Sequence, residues 1–148
     1  MAPRFINVDL ELEAPVRLEP LIGALGEAVF VMPREAPGRH WVGLELGGGW
    51  CAREAPAERI VAELCALIEA LPPAARAVWD ACERRDFDLG FESGGGRSLD
   101  TRLTAATVAR VAALGGAIAV TVYPLYERVV DRRARGRHRR RRAVVKRA

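Results

Sequence analysis

The stretch "ALGEAVFV" at residues 24–31 is written a second time, as "ALGGAIAV", at residues 113–120. Leu25 and Leu114, Gly26 and Gly115, Ala28 and Ala117 match, as do Ala24 with Ala113 and Val31 with Val120, while Val29 is exchanged for Ile118. In each copy a run of helix-forming residues ends on leucine, and glycine follows where helices commonly stop in the left-handed conformation. β-Branched residues then take over, and these favour extended chain. The phrase therefore marks a helix end and the strand after it, and the chain contains that junction twice.

Reading backwards from the first copy, "LEPLIGALG" (18–26) is a short helix with Pro20 in its first turn. Before it, "RFINVDLELE" (4–13) sets Ile6, Val8, Leu10 and Leu12 against Asn7, Asp9, Glu11 and Glu13. That period of two is the pattern of a half-buried strand. After it, "EAVFVM" (27–32) reads as extended. The second copy has the same surroundings. "DFDLGFE" (86–92) points Phe87, Leu89 and Phe91 inward and Asp86, Asp88 and Glu92 outward. The loop "SGGGRSLDTR" leads to the helix "LTAATVARVAALGG", with Thr104 as N-cap and Leu103 against Val108 as a hydrophobic staple, and "AIAVTVY" (117–123) is the strand that closes the unit.

Between the halves, "HWVGLELG" (40–47) is a strand with Val42, Leu44 and Leu46 on one side and Trp41 and Glu45 on the other. Residues 55–70 form an amphipathic helix on Ile60, Val61, Leu64, Cys65, Leu67 and Ile68, Pro72-Pro73 breaks it, and residues 74–85 read as a further helix. Two pseudo-repeated β-α-β halves joined by one strand and a helical segment predict an α+β fold. The expected architecture is a two-layer sandwich, about five strands in an antiparallel or mixed sheet with helices on one face. Residues 1–126 are read as a single domain.

Charge divides the chain. Eleven of its 23 basic residues, but two of its 19 acidic ones, lie from Glu127 onward, so an acidic body carries a basic segment at 127–148. Arg132, Arg133, Arg135, Arg137, Arg139, Arg140, Arg141 and Arg142 suit phosphate contact, with no aromatic residue after Tyr126 to stack on bases. The same segment could instead lie over the acidic body as a strap, or be a disordered extension. No run approaches the roughly 18–20 apolar residues of a membrane span, and the first residues lack a secretory signal's apolar core. Cys51, Cys65 and Cys82 are odd in number and widely spaced, as reduced thiols would be. A cytoplasmic protein is expected. Of the basic residues only Lys146 is lysine, and alanine is abundant, a bias that reads as GC-rich, bacterial coding.

The motifs of catalysis are mostly missing. No C-x-x-C or H-x-x-x-H pair offers zinc ligands, and no cofactor is expected. "SGGGRS" (93–98) has neither the G-x-x-x-x-G-K-[ST] nor the G-x-G-x-x-G spacing, and "GGGW" (47–50) fails in the same way. Cys51 with His40 would make a thiol nucleophile and base, but no third group is indicated to orient them. What does stand out is the outward side of the strands, where Asp9, Glu11, Glu13, Glu45, Asp86, Asp88 and Glu92 accumulate. Were those strands neighbours, one sheet face would be strongly acidic and in need of cations. As a paired-carboxylate hydrolase such a flat face should lack the desolvation that separates two pKa values.

"RDFDLGFE", followed after a gap by "LTAATVARVAALGGAIAVTVYP", resembles the bacterial family called domain of unknown function 4279. The likeness covers residues 4 to about 126 and rests on Phe87-Asp88-Leu89-Gly90, the capped helix to Leu114-Gly115 and a strand ending near Tyr123. It implies an α+β fold and a bacterial origin, and brings no catalytic residues. The sequence thus leads to a non-catalytic protein-binding domain of the immunity or accessory kind. Asp9, Glu11, Glu45, Asp86, Asp88 and Glu92 would meet a partner, expected to be basic. A nucleic-acid-associated protein acting through its arginines is the alternative, and an unrecognised enzyme the second.

Overall fold

The computed structural model describes residues 2–47 and 55–125. The expectations placed on Trp50, Cys51, the "GGGW" glycines after Gly47 and the arginine segment lie outside the described residues.

The fold is α+β, with four helices and one mixed five-stranded sheet among the described residues, the sheet not closing into a barrel. The alternating stretch becomes β1 (Arg4–Ala14), and α1 (Glu19–Leu25) follows with Pro20 in its first turn. A single 3-10 turn (Gly26–Ala28) then precedes β2 (Val29–Pro33), so Glu27 and Ala28 are not extended as the sequence suggested. Next come β3 (His40–Leu46), α2 (Ala57–Glu69), α3 (Pro73–Ala81), β4 (Arg84–Glu92), α4 (Ala105–Ala113) and β5 (Ala117–Tyr123).

The strands lie in the order β2-β3-β1-β4-β5. β1 is central and antiparallel to both β3 and β4; β2 is antiparallel to β3, and β5 is parallel to β4. Within each half the two strands point the same way, β1 with β2 and β4 with β5, but the halves run antiparallel to each other and are not paired alike. β4 and β5 are neighbours, as in a simple crossover, whereas β3 is inserted between β1 and β2.

Val8, Leu10, Leu12 and Ala14 of β1, Val42 and Leu44 of β3, and Phe87 and Leu89 of β4 bury one face of the sheet. Leu21 and Leu25 of α1, Ile60, Val61, Leu64, Cys65 and Ile68 of α2, and Trp79 of α3 complete the core. Trp79 keeps its indole satisfied inside by donating from Nε1 to the carbonyl of Leu114, 2.9 Å away, which ties α3 to the second copy of the repeated phrase.

Both copies of that phrase bury their leucine, and Gly26 and Gly115 both take positive φ, +54° and +70°. Their difference at Glu27 and Gly116 has a steric cause. A Cβ on Gly116 would stand 2.8 Å from Cε2 of Phe87 and 3.1 Å from Cγ1 of Val111, because β5 turns straight into the sheet under the core.

Two further sequence expectations are corrected. The helix read over 74–85 ends at Ala81, since the amide of Glu83 donates to the carbonyl of Glu13 and Arg84 and Arg85 enter the ladder opposite Glu13 and Leu12. Ile6 does not hold the inward place its alternation assigned. The register shifts between Phe5 and Asn7, and that bulge turns Phe5 to the core side, edge-on to Phe91 at 5.6 Å.

Candidate functional site

On the side of the sheet away from the core, the register gathers the acids. Asp9 lies directly opposite Asp88, and Glu11 lies between Asp86 on β4 and Gly43 on β3. Glu13 is opposite Arg84 and Trp41, Glu45 lies beside Asp9, and Glu92 faces Arg4 beyond the bulge. The outward residues of three separate strands thus form one field, because β1 is hydrogen-bonded to both of the others.

Arginines neutralise its periphery. Arg34, from the turn after β2, reaches over the sheet to Glu11 with Nη2 3.0 Å and Nε 3.3 Å from Oε1. Gly43 makes room for it, since a Cβ there would sit 2.9 Å from that guanidinium. Trp41 donates from Nε1 to the other oxygen of Glu11 at 2.7 Å, so this carboxylate is 6% exposed yet fully partnered. Arg84 bonds Asp86 at 2.8 Å and lies over the Trp41 ring at 5.6 Å. Arg39 pairs with both Glu13 and Glu83, and Arg4 with Glu92. Arg4, Arg34, Arg39 and Arg84 were missed by sequence reasoning. Only Arg84 had left a signal, two positions before Asp86 in the same alternation.

The middle of the field is different. Among the described residues no arginine forms an ion pair with Asp9, Glu45 or Asp88. Asp88 accepts from the hydroxyl of Thr121 at 2.8 and 3.0 Å. Oδ1 of Asp9 is buried and finds no such donor, and Glu45 beside it can share a hydrogen bond only if one of the two carboxyls keeps its proton. Burial, the Glu45 hydrogen bond and the charges of Glu45 and Glu11 push the Asp9 carboxyl up to about 7, against a smaller pull from Arg34. This corrects the expectation that carboxylates on an open sheet face escape desolvation. At Asp9, whose Oδ1 is buried, the packing of the face takes away the water that the flat geometry was expected to leave. Tyr123 closes the field on the β5 side, its ring lying across Gly90, and burial and the negative charge of Asp9 and Asp88 raise its hydroxyl.

The other sequence candidates fall elsewhere. Cys65 and Cys82 are core residues whose thiols burial pushes up, Cys82 to about 11, so neither is a ready nucleophile. His40 is exposed at the start of β3, and Cys51 lies outside the described residues. The helix N-terminus after the glycine-rich loop is already filled by a carboxylate. Glu58 of α2 accepts from the amide of Thr104 at 2.9 Å and from the hydroxyls of Thr104 and Thr107 at 2.8 and 2.6 Å. Those bonds hold Glu58 below the usual carboxylate range. An open hollow of about 390 Å³ lies beside the same loop, with Pro3, Phe91, Leu99 and Val122 in its wall; of residues 93–98 only Ser93 lines it.

No group of three or more His, Cys, Asp or Glu among the described residues is placed to hold a metal ion. No helix among them is long and apolar enough to cross a membrane. Comparison of the chain with protein-family models, with curated proteins and with solved structures finds no match.

Proposed function

We propose that this chain is a non-catalytic protein-binding domain, an immunity or accessory factor, that engages a basic partner through the open face of its sheet. The observation that supports this is the uncompensated centre of the field. Among the described residues, Asp9, Glu45 and Asp88 stand together with no arginine ion-paired to them, while the carboxylates around them are each paired. A lysine or arginine side chain from a partner would supply the missing cation, and the surrounding ion pairs would exclude water from it. Glu11, Asp86 and Glu92, committed to internal arginines, would form the rim. Because Asp9 holds a proton to about pH 7, a docked cation would displace it.

The test is retention of basic proteins from a bacterial lysate by the full chain and by a variant carrying Asp9→Asn, Glu45→Gln and Asp88→Asn. Basic proteins held by the wild type should be lost from the variant, and wild-type retention should strengthen between pH 6 and 8. An identical set of captured proteins in both would overturn the reading. The alternative, nucleic acid held by Arg132 to Arg142, rests on the sequence of that segment. It takes precedence if the wild type carries nucleic acid that high salt removes and no protein depends on the three carboxyls.

A further inference from the structure

The last strand of the sheet is built unlike a solitary edge. β5 has β4 on one side and no strand on the other among the described residues. Natural edge strands are commonly blunted by lysine, proline or an inward charge. "AIAVTVY" carries none of these, in a chain of which 28% is charged. Ile118, Val120 and Val122, on the core side of the strand, are 38%, 62% and 60% exposed, although Phe87, Leu89 and Phe91 next to them on β4 are buried or half-buried. α4 leaves these side chains uncovered, and its own Val108 is exposed as well.

The hydrogen-bonding direction of the free edge follows from its bound one. The carbonyl of Tyr123 accepts from the amide of Ser93, so it points toward the β4 side. Successive residues of a strand alternate in direction, which turns both backbone groups of Ile118, Val120 and Val122 outward. The same three residues thus carry the unpaired backbone and the uncovered side chains.

We propose that β5 pairs with β5 of a second copy of this chain, antiparallel about a two-fold axis at Val120. In that register Val120 meets the partner's Val120, and Ile118 meets the partner's Val122. Every outward N–H and C=O of the three residues then finds its mate in a hydrogen-bonded pair. The six aliphatic side chains form one continuous strip on the core side. On the open side Ala117 lies opposite the partner's Tyr123 and Ala119 opposite the partner's Thr121, small against large.

Self-complementarity of this kind is what an isologous two-fold contact requires. An uncharged strand also gives a foreign partner no charge to recognise. Charge further favours the antiparallel sense. The basic residues from Arg128 onward follow β5 closely, and antiparallel pairing starts the two segments from opposite ends of the joint, whereas parallel pairing would set them side by side. The pairing leaves Asp9, Glu45 and Asp88 uncovered, so it stands or falls independently of the function proposed above. One strand pair is a small interface, and association on the order of tens of micromolar is expected.

Sedimentation equilibrium of the full chain in high salt, from low micromolar to near-millimolar concentration, tests this. The wild-type mass should rise from the 16.2 kDa of one chain toward twice that value. Val120→Lys should remain at the single-chain mass with unchanged circular dichroism, and Val120→Cys should form an inter-chain disulfide on mild oxidation that Ala119→Cys forms much more slowly. A wild type that stays monomeric throughout, or a Val120→Lys chain that associates equally well, would overturn the proposal.

Discussion

Asp9 is the residue at which the two faces of the sheet make conflicting demands. Its neighbours in sequence, Val8 and Leu10, are fully buried, and the ladder that secures them sets Asp9 opposite Asp88 and beside Glu45. Two carboxylates so placed repel, and the fold responds by keeping one protonated. The native carboxyl holds its proton to about 7, while in the unfolded chain it releases it near 3.8. The neutral form is therefore favoured by folding: its contribution is complete below about pH 4 and lost as pH rises through 7. Asp9→Asn, which cannot ionise, should match the wild type at pH 4 and become more stable than it by about 1–3 kcal/mol above pH 8. Denaturant midpoints of both proteins across that range will check this; a difference that does not grow with pH would contradict it. The acids themselves were legible in the sequence, because period-two alternation assigns each strand residue a side. Their compensation was not. Arg34, which reaches Glu11 over Gly43, and Arg39, which reaches Glu13, come from the segment between β2 and β3, and no local pattern encodes where their side chains go.

At the scale of elements, α4 shows a cap read correctly in part. Thr104 accepts from the amide of Thr107 at 3.3 Å, as an N-cap should, but the end of the helix is equally held by Glu58, 46 positions earlier. Thr104→Ala removes the cap oxygen and one of the bonds to Glu58, and should cost about 1 kcal/mol of stability in chemical denaturation. Glu58→Gln should cost at least as much, since its one amide oxygen replaces only one of the two accepting oxygens and its NH2 then faces a donor. An unchanged midpoint in Thr104→Ala would mean that Glu58 alone secures the helix. The boundary of α3 was misplaced for a related reason. Cys82 to Arg85 suit a helix locally, yet the backbone of β1 offers Glu83, Arg84 and Arg85 partners that a helix would deny them. A long-range ladder prevailed over local propensity.

For the whole molecule, reading residues 1–126 as one domain predicts that a chain truncated after Tyr126 keeps the thermal midpoint of the full chain within about 2 °C, measured by circular dichroism. A large loss would mean that the arginine segment contributes to the fold. The sequence by itself determined the elements and their sidedness: a repeated helix-to-strand junction, alternating strands, helices with one apolar stripe, and an acidic outward face. These are local consequences of chain geometry, because side chains alternate along a strand and recur every three or four residues along a helix. Only the tertiary structure decided that β3 lies between β1 and β2 and, among the described residues, that four arginines pair with the outer acids but not with Asp9, Glu45 or Asp88 and that no strand lies beyond β5. Those features depend on which strands become neighbours, and that is settled by burying all the apolar faces in one core at once, a condition that no single segment expresses.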